Sequence, residues 1–142
     1  MYKVLIANAS KKRETRLIAD SIAEGLRKSG IYINVLDIKD ITRLKEYDAF
    51  ILDSGIYIKD LLQKIEPDFS DSNEINFERK IGGAFGKPGC SDKSISNLFD
   101  VMKNVLKMDM VDIPLTLESI SSVSELRKAK NFGQKIAEKL TV

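Results

Sequence analysis

The stretch KVLIANASKKRETRLIADSIAEGLRKSG, residues 3–30, decides the fold. KVLIAN (3–8) is a short aliphatic and β-branched run, the composition of a strand covered on both faces. Behind the polar residues that follow, Ile18, Ile22 and Leu26 recur at every fourth position, which puts them on one stripe of a helix, and Gly30 supplies its stop. A buried strand, a polar loop and an amphipathic helix together begin a right-handed crossover between parallel strands. Lys11, Lys12 and Arg13 stand at the start of that helix. Each faces an unfavourable helix-end contribution of roughly 0.3 to 1 kcal/mol, which a bound anion reverses. The strand-to-helix loop also presents unpaired N–H groups, a setting suited to phosphate, and Asn8, Ser10 and Thr15 can add side-chain hydrogen bonds. A solvated, lysine-rich loop is the alternative, because exposed cations swing away and are screened.

The same alternation continues outward. YINVLDI (32–38), DAFILDSG (48–55) and IGGAF (81–85) read as the second, third and fourth strands. After them, SDKSISNLFDVMKNVLKMD places Ile95, Leu98, Phe99, Met102, Val105 and Leu106 on one helical face, with Ser91 and Asp92 suited to its start. DMVDIPL (109–115) reads as a fifth strand, set at an edge by Pro114. A last helix is expected over 123–140, with Ser122 and Glu125 spaced as a capping box. The segment 58–79 opens as a short helix, IKDLLQKI, and continues as a polar loop, EPDFSDSNEINFERK. Gly82 and Gly83 read as places where a helix packs closely on the sheet. The expected fold class is α/β: a three-layer α/β/α domain over 1–142 with a doubly wound, five-stranded parallel sheet of order 2-1-3-4-5.

Composition sets limits on function. With 142 residues, 43% hydrophobic and 31% charged, the chain can bury a core of its own. Its net charge of +2 is too small for a nucleic-acid footprint. Cys90 is the single cysteine and histidine is absent, so an internal disulfide, a His-dependent triad and ordinary zinc chemistry are all disfavoured. No apolar run approaches the roughly 18 to 20 residues of a membrane span, and a cytoplasmic location is expected.

In a sheet of order 2-1-3-4-5 the carboxyl ends of strands one, three and four are neighbours, and ligands sit at the switch point between one and three. The loops NASKKRET (8–15), DSGIYIKD (53–60) and GKPGCSD (86–92) therefore converge. A receiver domain shares this strand order, but the sequence lacks an acidic cluster at the end of strand one to hold magnesium.

With these loops the chain resembles the flavodoxin family, whose members hold flavin mononucleotide (FMN) and carry electrons. Ser10 and Thr15 match the first hydroxyl and last threonine of that family's phosphate loop. DSGIYI is similar to the loop beside the isoalloxazine, in the Gly-Ile-Tyr form of flavodoxin-like domains related to menaquinone-dependent protoporphyrinogen oxidases. GGAFGKPGCSDKS is similar to the fourth-strand loop of the flavodoxin domains in flavodiiron proteins. The resemblance implies FMN held at its phosphate by Asn8, Ser10, Lys11, Lys12, Arg13, Glu14 and Thr15. It implies Ser54, Gly55, Ile56 and Tyr57 on one side of the ring, and Phe85, Gly86, Lys87, Gly89, Cys90 and Ser91 on the other. It implies electron exchange with a redox partner protein, a reductase or an acceptor, by a monomer or homodimer with no catalytic acid or base.

The SGIY loop motivates one other reading, and the departures from the family pattern a second. The usual phosphate-loop glycine is replaced within KKRE, Lys59 stands where relatives often have glycine, and Pro88 and Cys90 stand where the flavodiiron-like pattern often has aromatics. Tyr57 is then the one evident aromatic for stacking, unless it is a plain half-exposed loop residue, and Cys90 has the simpler reading of a small buried side chain. The alternatives are a flavin-dependent oxidoreductase acting on a quinone or porphyrinogen-like substrate, and a flavodoxin-fold binding module that has lost FMN.

Overall fold

Five parallel sheet positions follow from five apolar runs. The computed structural model of the chain describes residues 1–9, 12–63 and 77–141. β1 (Tyr2–Asn8) lies between β2 (Ile31–Asp37) and β3 (Ala49–Asp53), with Val4 opposite Ile33 on one side and Ala49 on the other. β3 pairs with β4 (Ile81–Gly86), and the sheet order is 2-1-3-4-5, as the alternation of strands and helices predicts.

The fifth position differs from expectation. Instead of one strand over 109–115 there are two short ones, β5 (Asp109–Met110) and β6 (Leu115–Thr116), each pairing in parallel with a different end of β4. Between them Asp112 takes a left-handed conformation with φ 55° and Ile113 is 72% exposed. Pro114 brings no N–H to a ladder, so the chain leaves the sheet and rejoins it.

Helices cover both faces. α1 (Arg13–Leu26) and α4 (Val123–Leu140) lie over one, where Val4, Ile6 and Ile51 from the sheet meet Ile18, Ile22 and Leu26 of α1 and Phe132 and Ile136 of α4. The other face carries α2 (Ile58–Leu62) and α3 (Asp92–Asp100), where Leu5, Phe50 and Leu52 meet Leu61, Ile95 and Leu98. The alternation of β1 side chains between these two cores is the period of two that a strand imposes. α1 and α4 touch backbone to backbone: a Cβ on Gly25 would collide with the Lys130 carbonyl, and one on Gly133 with the Ile22 carbonyl. Gly83 likewise makes room for the ring of Phe132, in keeping with its expected packing role.

Two local expectations are corrected. The helix after β4 is not uniform, because after α3 it widens into a π turn over Val101–Val105, closed by a hydrogen bond from Leu106 N–H to the Val101 carbonyl at 3.0 Å. The extra residue in that turn rotates the register, so Val105, expected on the core face, is 68% exposed while Met102 is fully buried. At α4 only half of the capping box forms. Ser122 Oγ accepts the Glu125 N–H at 3.4 Å, but the Glu125 carboxylate turns to the Glu118 N–H at 2.7 Å, tying the helix start to the chain leaving β6.

Between β2 and β3 the chain makes only two single 3₁₀ turns, Ile38–Asp40 and Leu44–Glu46. No helix among the described residues is long and apolar enough to cross a membrane.

Candidate functional site

Three strands end side by side and each hands the chain to a helix that starts on the same edge. β1 ends at Asn8, and α1 follows from Lys12, whose extended backbone (φ −62°, ψ 138°) takes the cap position and whose own side chain makes no cap hydrogen bond. β3 ends at Asp53, and Ser54 to Tyr57 lead into α2. β4 ends at Gly86, and the next four residues fold back on themselves. Cys90 N–H donates to the Lys87 carbonyl at 3.1 Å, with Pro88 second and Gly89 third at φ +83°, the type II arrangement for which these two residue types are suited. Ser91 Oγ then caps α3 by accepting the Ser94 N–H at 3.4 Å.

One carboxylate joins two of these loops. Asp53 is 5% exposed, and its Oδ2 accepts the Ala9 N–H at 3.0 Å while its Oδ1 accepts the Gly55 N–H at 3.2 Å. The third loop is joined by backbone, as Ser54 N–H donates to the Phe85 carbonyl at 2.8 Å. The loops approach closely enough that a Cβ on Gly86 would collide with Cys90 Sγ and come 3.3 Å from Ser54 Oγ.

A cleft of about 300 Å³ opens between them, lined by Ala9, Lys12, Thr15, Asp53, Ser54, Gly55, Lys87, Cys90, Ser91 and Ser94. A second cleft of about 330 Å³ adjoins it and shares Ser54, Gly55 and Ser94, with Ile56, Tyr57, Ile58, Asn97, Leu98 and Val101 completing its walls. Each is at the lower end of the size range of small-molecule sites, and the shared residues make them one groove.

The residues singled out from the sequence divide accordingly. Lys12, Thr15, Ser54, Gly55, Lys87, Cys90 and Ser91 line the first cleft, and Ile56 and Tyr57 the second. Tyr57 is 71% exposed, so its ring has an open face. Arg13 and Glu14 are exposed in the first turn of α1. Asn8 is buried beneath the first loop, and its Oδ1 has no hydrogen-bond partner. Ser10 and Lys11 lie outside the described residues. The Phe85 side chain is fully buried among the α1 and α4 contacts, which corrects the expectation that it borders a ligand: only its backbone reaches this edge. Gly89 stands at the turn of the third loop.

The sequence reading missed Asp53, Ser94 and Asn97. For Asp53 a signal was present, since it is the one ionisable group closing the apolar run AFILD, where burial demands partners. Ser94 and Asn97 reach the groove because they are three apart on α3; the sequence places the start of that helix but not which part of its polar face turns toward the loops.

In sequence and in fold the chain is similar to flavodoxins. It is 26% identical over 155 residues to the flavodoxin of Clostridium saccharobutylicum, an alignment covering 97% of both proteins. It is 29% identical over 134 residues to the flavo-diiron protein FprA2 of Clostridium acetobutylicum, where the match takes in 89% of this chain but spans only about a third, 33%, of that protein's length. Among solved structures, a flavodoxin from the domain Archaea superposes with a TM-score of 0.76 at 20% identity, over 100% of both chains. No family model matches the chain.

Proposed function

We propose that the chain binds FMN in the groove at the carboxyl edge of its sheet and exchanges electrons with a partner protein, a reductase or an acceptor. The observation that carries this reading is the groove itself, at the β1–β3 switch point, with two lysines and the start of α1 at one end and an open tyrosine ring at the other. The residues present fit the group. The start of α1 and the cations Lys12 and Lys87 suit a phosphate, the glycines at 55 and 86 leave backbone accessible, and Tyr57 suits a flat ring.

On this reading Asn8, Ser10, Lys11, Lys12, Arg13, Glu14 and Thr15 form the phosphate end. Ser54 to Tyr57 lie along one side of the ring, and the turn from Gly86 to Ser91 along the other. FMN supplies the electron-carrying chemistry when bound, while the chain fixes its position and surrounding polarity. A cytoplasmic setting is part of the same reading, supported by the single cysteine. The test is a titration of the flavin-free protein with FMN, followed by flavin fluorescence, with riboflavin as the phosphate-free control. Saturable binding of FMN, much tighter than riboflavin, is the expected result. No saturation with FMN sinks the electron-carrier reading.

The second cleft, with Ile56, Ile58, Leu98 and Val101 in its walls, favours one further reading, an oxidoreductase that passes electrons to a small quinone. Reoxidation of the reduced, FMN-loaded protein by a naphthoquinone would then saturate with quinone concentration. A rate that rises linearly throughout counts against it.

A further inference from the structure

We propose that Asn97, on α3, recognises the imide edge of a flat heteroaromatic ring, the N–H flanked by two carbonyls that a flavin ring carries. This inference rests on the FMN reading and gives a role to a residue outside the three loops. The groove is divided by charge. Lys12, Asp53 and Lys87 all line the first cleft. Among the described residues the walls of the second carry no charge: Ile56, Ile58, Leu98 and Val101 make it apolar, Tyr57 gives it an aromatic face, and Asn97 is its one side-chain amide. A ligand that fills both clefts therefore has a charged end and a neutral, flat end, with few polar groups to orient the latter.

Asn97 is placed for that task by α3. It is exposed and lies three residues after Ser94, which lines both clefts, so the two share a helix face. Lys93, Ser96 and Asp100, the polar residues around them, line neither cleft. Among the described residues no hydrogen bond engages the Asn97 side chain. A carboxamide offers N–H donors beside a carbonyl acceptor, and an imide offers the complement, an N–H beside a carbonyl, so the two can form a pair of hydrogen bonds. A quinone edge has carbonyls and no N–H and takes only half of that pair. In an otherwise apolar cleft, leaving a polar group unmatched discriminates strongly between ligands of similar shape. Tyr57 offers the ring a face and Asn97 an edge, which fixes its orientation as well as its affinity.

The test compares FMN with N3-methyl FMN, in which a methyl group replaces the imide proton. Both are titrated by fluorescence into the flavin-free wild-type chain, N97L and N97A, with circular dichroism to verify folding. The wild type is expected to bind FMN about tenfold more tightly than the methylated ligand, the worth of about one hydrogen bond. N97L is expected to bind FMN about tenfold more weakly than wild type and to bind both ligands equally. N97A shows the same pattern if leucine disturbs the fold. Equal binding of the two ligands by the wild type overturns the inference. So does an N97L that keeps wild-type affinity for FMN, or one that loses affinity for both ligands in the same proportion. A wild type that does not saturate with FMN overturns the FMN reading and this inference together.

Discussion

Asp53 shows how much one buried side chain can organise. A carboxylate that is 5% exposed needs partners, and it finds them in two backbone N–H groups on different loops, at Ala9 and Gly55. Its removal therefore affects a groove whose other residues are untouched. D53N keeps one acceptor oxygen and turns an NH₂ group toward the second amide, at a cost of about 1 to 3 kcal/mol for the donor left unpaired. The expected outcome is FMN affinity about tenfold weaker by fluorescence titration, with the midpoint of urea unfolding also lowered. Unchanged affinity would mean that the loops hold their positions without this link.

Among the elements, α1 and α4 carry the most specific contact, and the sequence did not announce it. The stripe Ile18, Ile22, Leu26 showed that α1 was amphipathic, and 123–140 was read as a helix with the same limits the structure has. That Gly25 and Gly133 are the contact points depends on the crossing of two distant helices, which no local pattern encodes. G133A tests it. Alanine favours a helix over glycine by roughly 1 kcal/mol, but its Cβ would meet the Ile22 carbonyl, and overpacking costs about 1 to 3 kcal/mol. The carbonyl belongs to a helix backbone that cannot swing aside, so the second effect wins and the urea midpoint falls. A midpoint equal to wild type would show that the helices separate at little cost. The split fifth strand and the π turn were hidden for a related reason. Pro114 signalled an edge, yet where the chain leaves and rejoins β4 is set by the pairing of Met110 and Leu115 with their partners, not by their own propensities.

For the molecule as a whole, the response to acid is expected to follow three ion-paired carboxylates, the nearly buried Glu125 and the more exposed Asp112 and Glu46. Lys128 holds the Glu125 carboxyl below its ordinary value of about 4.5 by hydrogen bonding, and the Glu118 N–H adds to this. Lys135, helped by the Ile113 N–H, does the same for Asp112, and Lys3 for Glu46. A carboxyl whose folded pKa is depressed stabilises the fold above its unfolded pKa, and that stability is lost as pH falls through the folded value. The melting temperature is therefore expected to hold near neutral pH and to fall below about pH 4.5. E125Q should melt lower at pH 7 and show a shallower fall in acid. Parallel curves for wild type and variant would exclude Glu125 as a contributor. The convergence of the three loops was legible in the sequence, because strand order alone makes them neighbours. The depth of the groove and the burial of Phe85 were not, since both depend on how the layers close.

The seating of α1 on α4 has a consequence for the order of events during synthesis. The helix that leaves the ribosome first has its backbone partner about a hundred residues behind it, and Ile18, Ile22 and Leu26 share a core with Phe132 and Ile136. A nascent chain that has reached only β4 holds four strands of its sheet while α3 and α4, one helix of each layer, are missing, and the side of the α1 stripe that α4 covers faces water or a chaperone. Closure of the domain is thus a late event spanning most of the chain, the kind of long-range contact that slows folding.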